Sequence, residues 1–166
     1  MHNLMRREMK QFRKVPHYEV LEKYREYNHS ETLTLEPNIP LLRKEVEWVE
    51  NQEELRKRDF EEFHSQDHRW SQETWMEVTM CGTACCVAGN VAMHEGEIIQ
   101  SIDNYGNIVG TYAYDEVADE YSEISNFAQL KLGINHQERA MFTGDNQAAD
   151  IRRYAEQAAE RVGETL

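Results

Sequence analysis

No stretch of the 166 residues approaches the ~20 consecutive apolar residues that a membrane-crossing helix needs. No apolar segment follows the early charges Arg6 and Arg7, so no secretory signal is read there. A cytoplasmic protein with no membrane contact is expected. Cysteine is scarce: the three present, Cys81, Cys85 and Cys86, sit within six residues. A secreted disulfide framework needs an even, spaced set, so these are read as thiols, metal ligands or small buried side chains. Basic residues are missing altogether between Arg69 and Lys131, a gap holding ten carboxylates: Glu73, Glu77, Glu95, Glu97, Asp103, Asp115, Glu116, Asp119, Glu120 and Glu123. Phosphate binding is driven by Lys and Arg, so direct nucleic-acid binding is not expected. Internal repeats and low-complexity tracts are also missing.

What is present is charge, unevenly placed. The formal net charge is −13, and 13 of the 18 Lys and Arg residues lie in residues 1–69. The second part of the chain therefore carries most of the excess negative charge, which favours solubility and attraction to basic partners.

Periodicity divides the chain into residues 1–40, a basic helical arm with a linker, and residues 41–166, a helical domain. In the arm, Leu4, Met5, Met9 and Phe12 recur at helical intervals among Arg6, Arg7, Lys10, Arg13 and Lys14. That basic face can lie against the chain's own acidic half or dock elsewhere. Pro16 breaks the pattern, and His17 to Asn28 again has helical spacing. After Pro37 and Pro40, one helix is expected from Leu41 and a second from an Asn51–Glu54 capping box. Thr83 is the expected cap of a helix over about 84–94 that ends before Gly96. Residues 97–114 read as a small β-hairpin around Asn104-Tyr105-Gly106-Asn107. Helices are expected over about 115–132, after an Asn135–Glu138 capping box, and from Asp145 or Asn146 to Val162. The fold class is mostly α: a bundle-like helical domain with that one hairpin and an N-terminal helical arm.

Trp75, Cys81-Gly82-Thr83, Cys86, Ala88 and Gly89 match the pattern Trp, gap, Cys-Gly-Thr-x-x-Cys-x-Ala-Gly. It resembles a family of small proteins from bacteriophages, prophages and some bacteria. Gln72 before Trp75, Leu132-Gly133-Ile134 and Phe142 look like further parts, so the resemblance spans roughly 60–160. It implies a phage setting and no particular activity. Asn90 stands where that family often has Trp or His, and the hairpin segment is longer than usual for it. Cys81-Gly82-Thr83-Ala84-Cys85 also resembles, more weakly, the papain-like peptidases that process bacteriocin leaders, with Cys81 as nucleophile. A thiol at a helix N-terminus has its thiolate stabilised by free N–H groups. It needs a base, and the alternative catalytic pair is Cys81 with His136. His94 lies about three helical turns from Cys81, too far along a straight helix. A zinc site built on Cys81, Cys86 and His94 is the other alternative, although the spacing fits no common zinc pattern.

The preferred reading is that the motif specifies packing. Free cysteine packs as a small hydrophobe, and Gly82, Thr83, Ala88 and Gly89 suit a turn, a cap and a close helix crossing. The protein is then a non-enzymatic, acidic accessory protein without cofactor. It recognises a basic protein partner through Tyr112, Asp115, Glu116, Asp119, Glu120 and Glu123, with the carboxylates on one helical side. Blocking a host protein or mimicking nucleic acid are two forms this takes.

Overall fold

Strand β1 (Arg13–Pro16) opens the fold and turns directly into the six-residue helix α1 (His17–Glu22) at Pro16, whose φ of −56° suits a helix entry. The structure is a computed structural model of the chain and describes residues 12–63, 77–79, 82–84, 86–144 and 146–166. The expected amphipathic helix at residues 4–12 falls almost wholly outside them. Its last basic residues are in a strand, because Val15 is needed as a buried side chain between α1 and the sheet. Helix α1 ends at Glu22, well short of Asn28, since Lys23 and Arg25 turn their backbone groups to Tyr121.

A 3₁₀ turn (His29–Thr34) leads to helix α2 (Ile39–Phe63). Asn38 caps it, its side chain accepting from the Leu41 N–H at 3.2 Å, while Pro40 sits harmlessly in the first turn. No second helix starts at Asn51. Leu41, Leu42, Glu45, Val46 and Val49 form one buried stripe. Nothing in the sequence breaks the helix where the stripe ends, and Glu50 and Glu53 tie its middle to the last helix. Strands β2 (Glu77–Thr79) and β3 (Gly82–Ala84) make a two-stranded antiparallel ribbon. Helix α3 (Val87–Glu95) is followed by β4 (Glu97–Ile102), β5 (Ile108–Asp115) and β6 (Glu120–Ser122). Helix α4 (Ile124–Leu132), a 3₁₀ turn (Glu138–Phe142) and helix α5 (Ala148–Glu160) complete the chain.

The expectation of a mostly helical bundle is therefore corrected: the fold is mixed α/β. Beside the helices stands a four-stranded mixed sheet in the order β1-β4-β5-β6, with β1 parallel to β4 and the remaining pairs antiparallel. The hairpin at 97–114 exists, but it forms the centre of this sheet. Side chains alternate across it. Ile98 and Ala113 face the main core with Val46, Val87, Val91, Phe127, Leu132, Met141, Ile151 and Ala155, so the sheet packs on α2–α5. Ile99 faces the other way, with Val15, Val20 and Tyr121, and α1 covers part of that second face.

The segment 115–123 is the clearest departure from helix. The Asp115 carboxylate accepts from the Val117 and Ala118 N–H groups at 3.1 and 3.2 Å, which curls the chain out of β5. Asp119 then takes a left-handed φ of 54°, a conformation Asp tolerates better than most residues. Tyr121 exchanges backbone bonds with Lys23 and Arg25. Long-range pairing outweighs the helical propensity of Glu and Ala here. Elsewhere the stops follow expectation at Gly96 and Gly133, and the starts do so less closely. Gly133 ends α4 with φ 66°, and Asn135 and Glu138 exchange side-chain and backbone bonds at 2.9 and 3.0 Å, although a 3₁₀ turn follows rather than an α-helix. The cap of α5 is Gln147, paired reciprocally with Asp150, while Asn146 donates its amide to the Ala140 carbonyl.

Candidate functional site

One end of the sheet gathers the carboxylates singled out above. Asp115 closes β5, Glu116 and Asp119 lie in the turn, Glu120 opens β6 and Glu123 follows it. They surround a strand–turn–strand and do not share a helical side, which corrects that expectation. Asp115 is bound by Lys131 at 3.1 Å and Asp119 by Lys23 at 3.0 Å. Among the described residues Glu116, Glu120 and Glu123 have no ion pair. Glu97 belongs to the same end and pairs with Arg13 at 2.7 Å. Part of the basic N-terminal segment thus lies against the acidic half of its own chain.

Tyrosines line this end on the outer sheet face. Tyr114 and Tyr121 are cross-strand partners with ring centroids 4.8 Å apart, and Tyr24 meets Tyr112 edge-on at 6.1 Å. The Arg13 guanidinium lies 5.4 Å from the Tyr114 ring centre. Each phenol except that of Tyr112 donates to a carboxylate: Tyr114 to Asp119 at 2.7 Å, Tyr121 to Glu19 at 3.2 Å and Tyr24 to Glu123 at 3.4 Å. Burial raises the pKa of Tyr24, Tyr112 and Tyr121, and its bond to Asp119 raises that of Tyr114. The phenols are therefore hydrogen-bond donors across the neutral range. The bonds from Tyr114 and Lys23 hold Asp119 below its ordinary value. Burial opposes ionisation of Asp115, but the Ala118 N–H, Lys131 and the Val117 N–H together hold it low as well. This end stays anionic at neutral pH. Between β6 and α4 it carries a cleft of about 120 Å³ lined by Asp115, Glu120, Phe127, Leu130 and Lys131, with Arg25 and Ser122.

The cysteine segment is arranged differently from the sequence reading. Gly82, Thr83 and Ala84 are in β3, paired with Thr79, Val78 and Glu77, so the α3 cap is not Thr83. The cap is Cys86, whose sulfur accepts from the Gly89 N–H at 3.4 Å. Cys86, Ala88, Gly89 and Asn90 are all buried. Desolvation pushes the Cys86 thiol up to about 11, so it is an unreactive thiol at neutral pH. His94 is exposed, two turns further along the same helix. A rise of ~1.5 Å per residue sets it roughly 12 Å from Cys86, too far to share a zinc ion. Among the described residues no group of three or more His, Cys, Asp and Glu side chains is placed to hold a metal. Cys81, Cys85 and Trp75 lie outside those residues, and His136 is exposed in the turn after α4.

Sequence reasoning missed the buried polar groups. Glu45 on α2 accepts from the Asn90 amide on α3 at 2.7 Å. Glu138 is buried and accepts from both Arg161 Nε and Nη2 at 3.1 and 3.0 Å, with Arg161 also donating to the Leu35 and Gly133 carbonyls. Arg139 donates to Ser125, Asn126 and Gln129 and stacks on Tyr27. Glu45 occupies an apolar position of its helical stripe, and that was the available signal. Comparison of the chain with family models, with curated proteins and with solved structures finds no match.

Proposed function

We propose that this is a phage-type acidic accessory protein that works in the cytoplasm of a host cell by binding a basic protein. The reading rests on one arrangement: among the described residues Glu116, Glu120 and Glu123 stand without ion pairs beside Asp115 and Asp119, next to half-buried tyrosine rings. Unpaired carboxylates attract and orient a cationic surface. Tyrosine adds contact area at low entropic cost, a property of recognition surfaces in general. The excess negative charge of residues 70–166 steers a basic partner toward the molecule. The resemblance of the cysteine motif to phage proteins supplies the setting. A nucleic-acid-binding protein, its phosphate site occupied by these carboxylates, is the partner class most in keeping with this chemistry.

The test is capture of basic proteins from host-cell extract by the immobilised protein. The triple reversal Glu116→Lys, Glu120→Lys and Glu123→Lys removes no ion pair of the fold among the described residues. It is expected to cut capture by roughly tenfold or more, whereas Glu156→Lys with Glu160→Lys on α5 leaves it near wild type. Equal capture by all three proteins defeats the reading.

A further inference from the structure

Glu45 is only 2% exposed, and its Oε1 has no hydrogen-bond partner among the described residues. Its Oε2 accepts one bond, from the Asn90 amide, itself 3% exposed. An amide donor does not neutralise a carboxylate. The charged groups that act on Glu45 are Lys44 on its own helix, which favours ionisation, and Glu95 on α3, which opposes it. His94, one turn beyond Asn90, is exposed. Cations of the other helices packed nearby are engaged elsewhere, Arg152 of α5 with Glu50 and Lys131 of α4 with Asp115. A buried ion with one neutral donor and an empty lone-pair side is far costlier than a buried neutral carboxyl with the same deficit.

We propose that Glu45 is carried protonated in the folded protein and acts with Asn90 as an acid-dependent latch between α2 and α3, loosened as the solution passes through neutrality. Burial is the largest influence on the group and pushes its carboxyl up to about 7. In the unfolded chain it titrates as an ordinary glutamate. Between those two values the native state binds more protons than the unfolded state, so stability falls as pH rises and levels off above the folded value. Asn90 gains a purpose in this arrangement. Among the described residues it supplies the one hydrogen bond that the carboxyl accepts.

Two measurements on the intact protein decide the matter. In urea unfolding, the wild-type folding equilibrium constant is expected to fall by about tenfold more between pH 6 and pH 8 than that of Glu45→Gln, which stays neutral. In carboxyl-carbon NMR of the wild type, which needs no variant to fold, the Glu45 resonance is expected to titrate near neutrality, apart from the other glutamates. A Glu45 resonance moving with the ordinary glutamates overturns the latch. So does a Gln variant that folds and keeps the wild-type pH dependence.

Discussion

At the scale of single residues, Cys86 shows how a motif reads differently once the backbone is in place. Its sulfur takes the place of a hydroxyl at the α3 N-terminus, a position usually held by Ser, Thr, Asp or Asn. The general logic of the Cys-Gly-Thr step pointed to a cap, and the step does lie close to one. Which residue caps was not legible, because the ribbon β2–β3 draws Thr83 into a strand. Cys86 is expected to resist alkylation in the folded protein at pH 8 and to react fully in denaturant, with peptide mapping distinguishing it from Cys81 and Cys85. Native alkylation at the rate of a free thiol contradicts its burial. The Glu45–Asn90 pair belongs to this scale as well. Sequence marked Asn90 as a departure from a pattern, but only the packing of α2 on α3 reveals what it touches.

At the scale of elements, punctuation was more legible than identity. Gly96, Gly133 and the Asn135–Glu138 exchange fall at or next to the ends where turn chemistry puts them. Two glycines with positive φ separate local strain from tertiary fit. At Gly163, φ is 73° and an added Cβ meets nothing, so Gly163→Ala is expected to cost only about 1–2 kcal/mol. At Gly133, φ is similar, but the Cβ would overlap the Glu36 backbone carbonyl. Gly133→Ala is expected to cost at least ~3 kcal/mol, with both values read from urea unfolding. Equal effects would show that residues 36–37 yield freely to α4. The strands were harder to read, since β1 and β6 hold only four and three residues. Such lengths leave no period to detect, and the partner of β1 lies far away in the chain.

At the scale of the whole molecule, charge dominates. A net −13 on 166 residues stores self-repulsion that the ion pairs Arg13–Glu97, Lys23–Asp119 and Lys131–Asp115 only partly relieve. These pairs are half-exposed, and each contributes little to stability. Moderate NaCl is therefore expected to raise the melting temperature by screening the net charge. A falling melting temperature with salt would mean that attractive pairs outweigh the repulsion. Two of these pairs, Arg13–Glu97 and Lys23–Asp119, join the N-terminal part of the chain to the acidic end of the sheet, where Glu116, Glu120 and Glu123 have no ion pair among the described residues.

Sequence alone determined the acidic balance, the lack of a membrane-length apolar run, the hairpin at its turn and the helix stops at Gly96 and Gly133, because these depend on composition or on neighbours a few residues apart. Tertiary structure decided that 13–16 and 120–122 are strands, that 115–123 is not a helix, and that Glu45 meets Asn90. Apart from the local turn at Asp115 and the adjacent β5–β6 ladder, those outcomes depend on backbone bonds and burial between residues tens of positions apart, whose free energy outweighs the small local preferences visible along the chain.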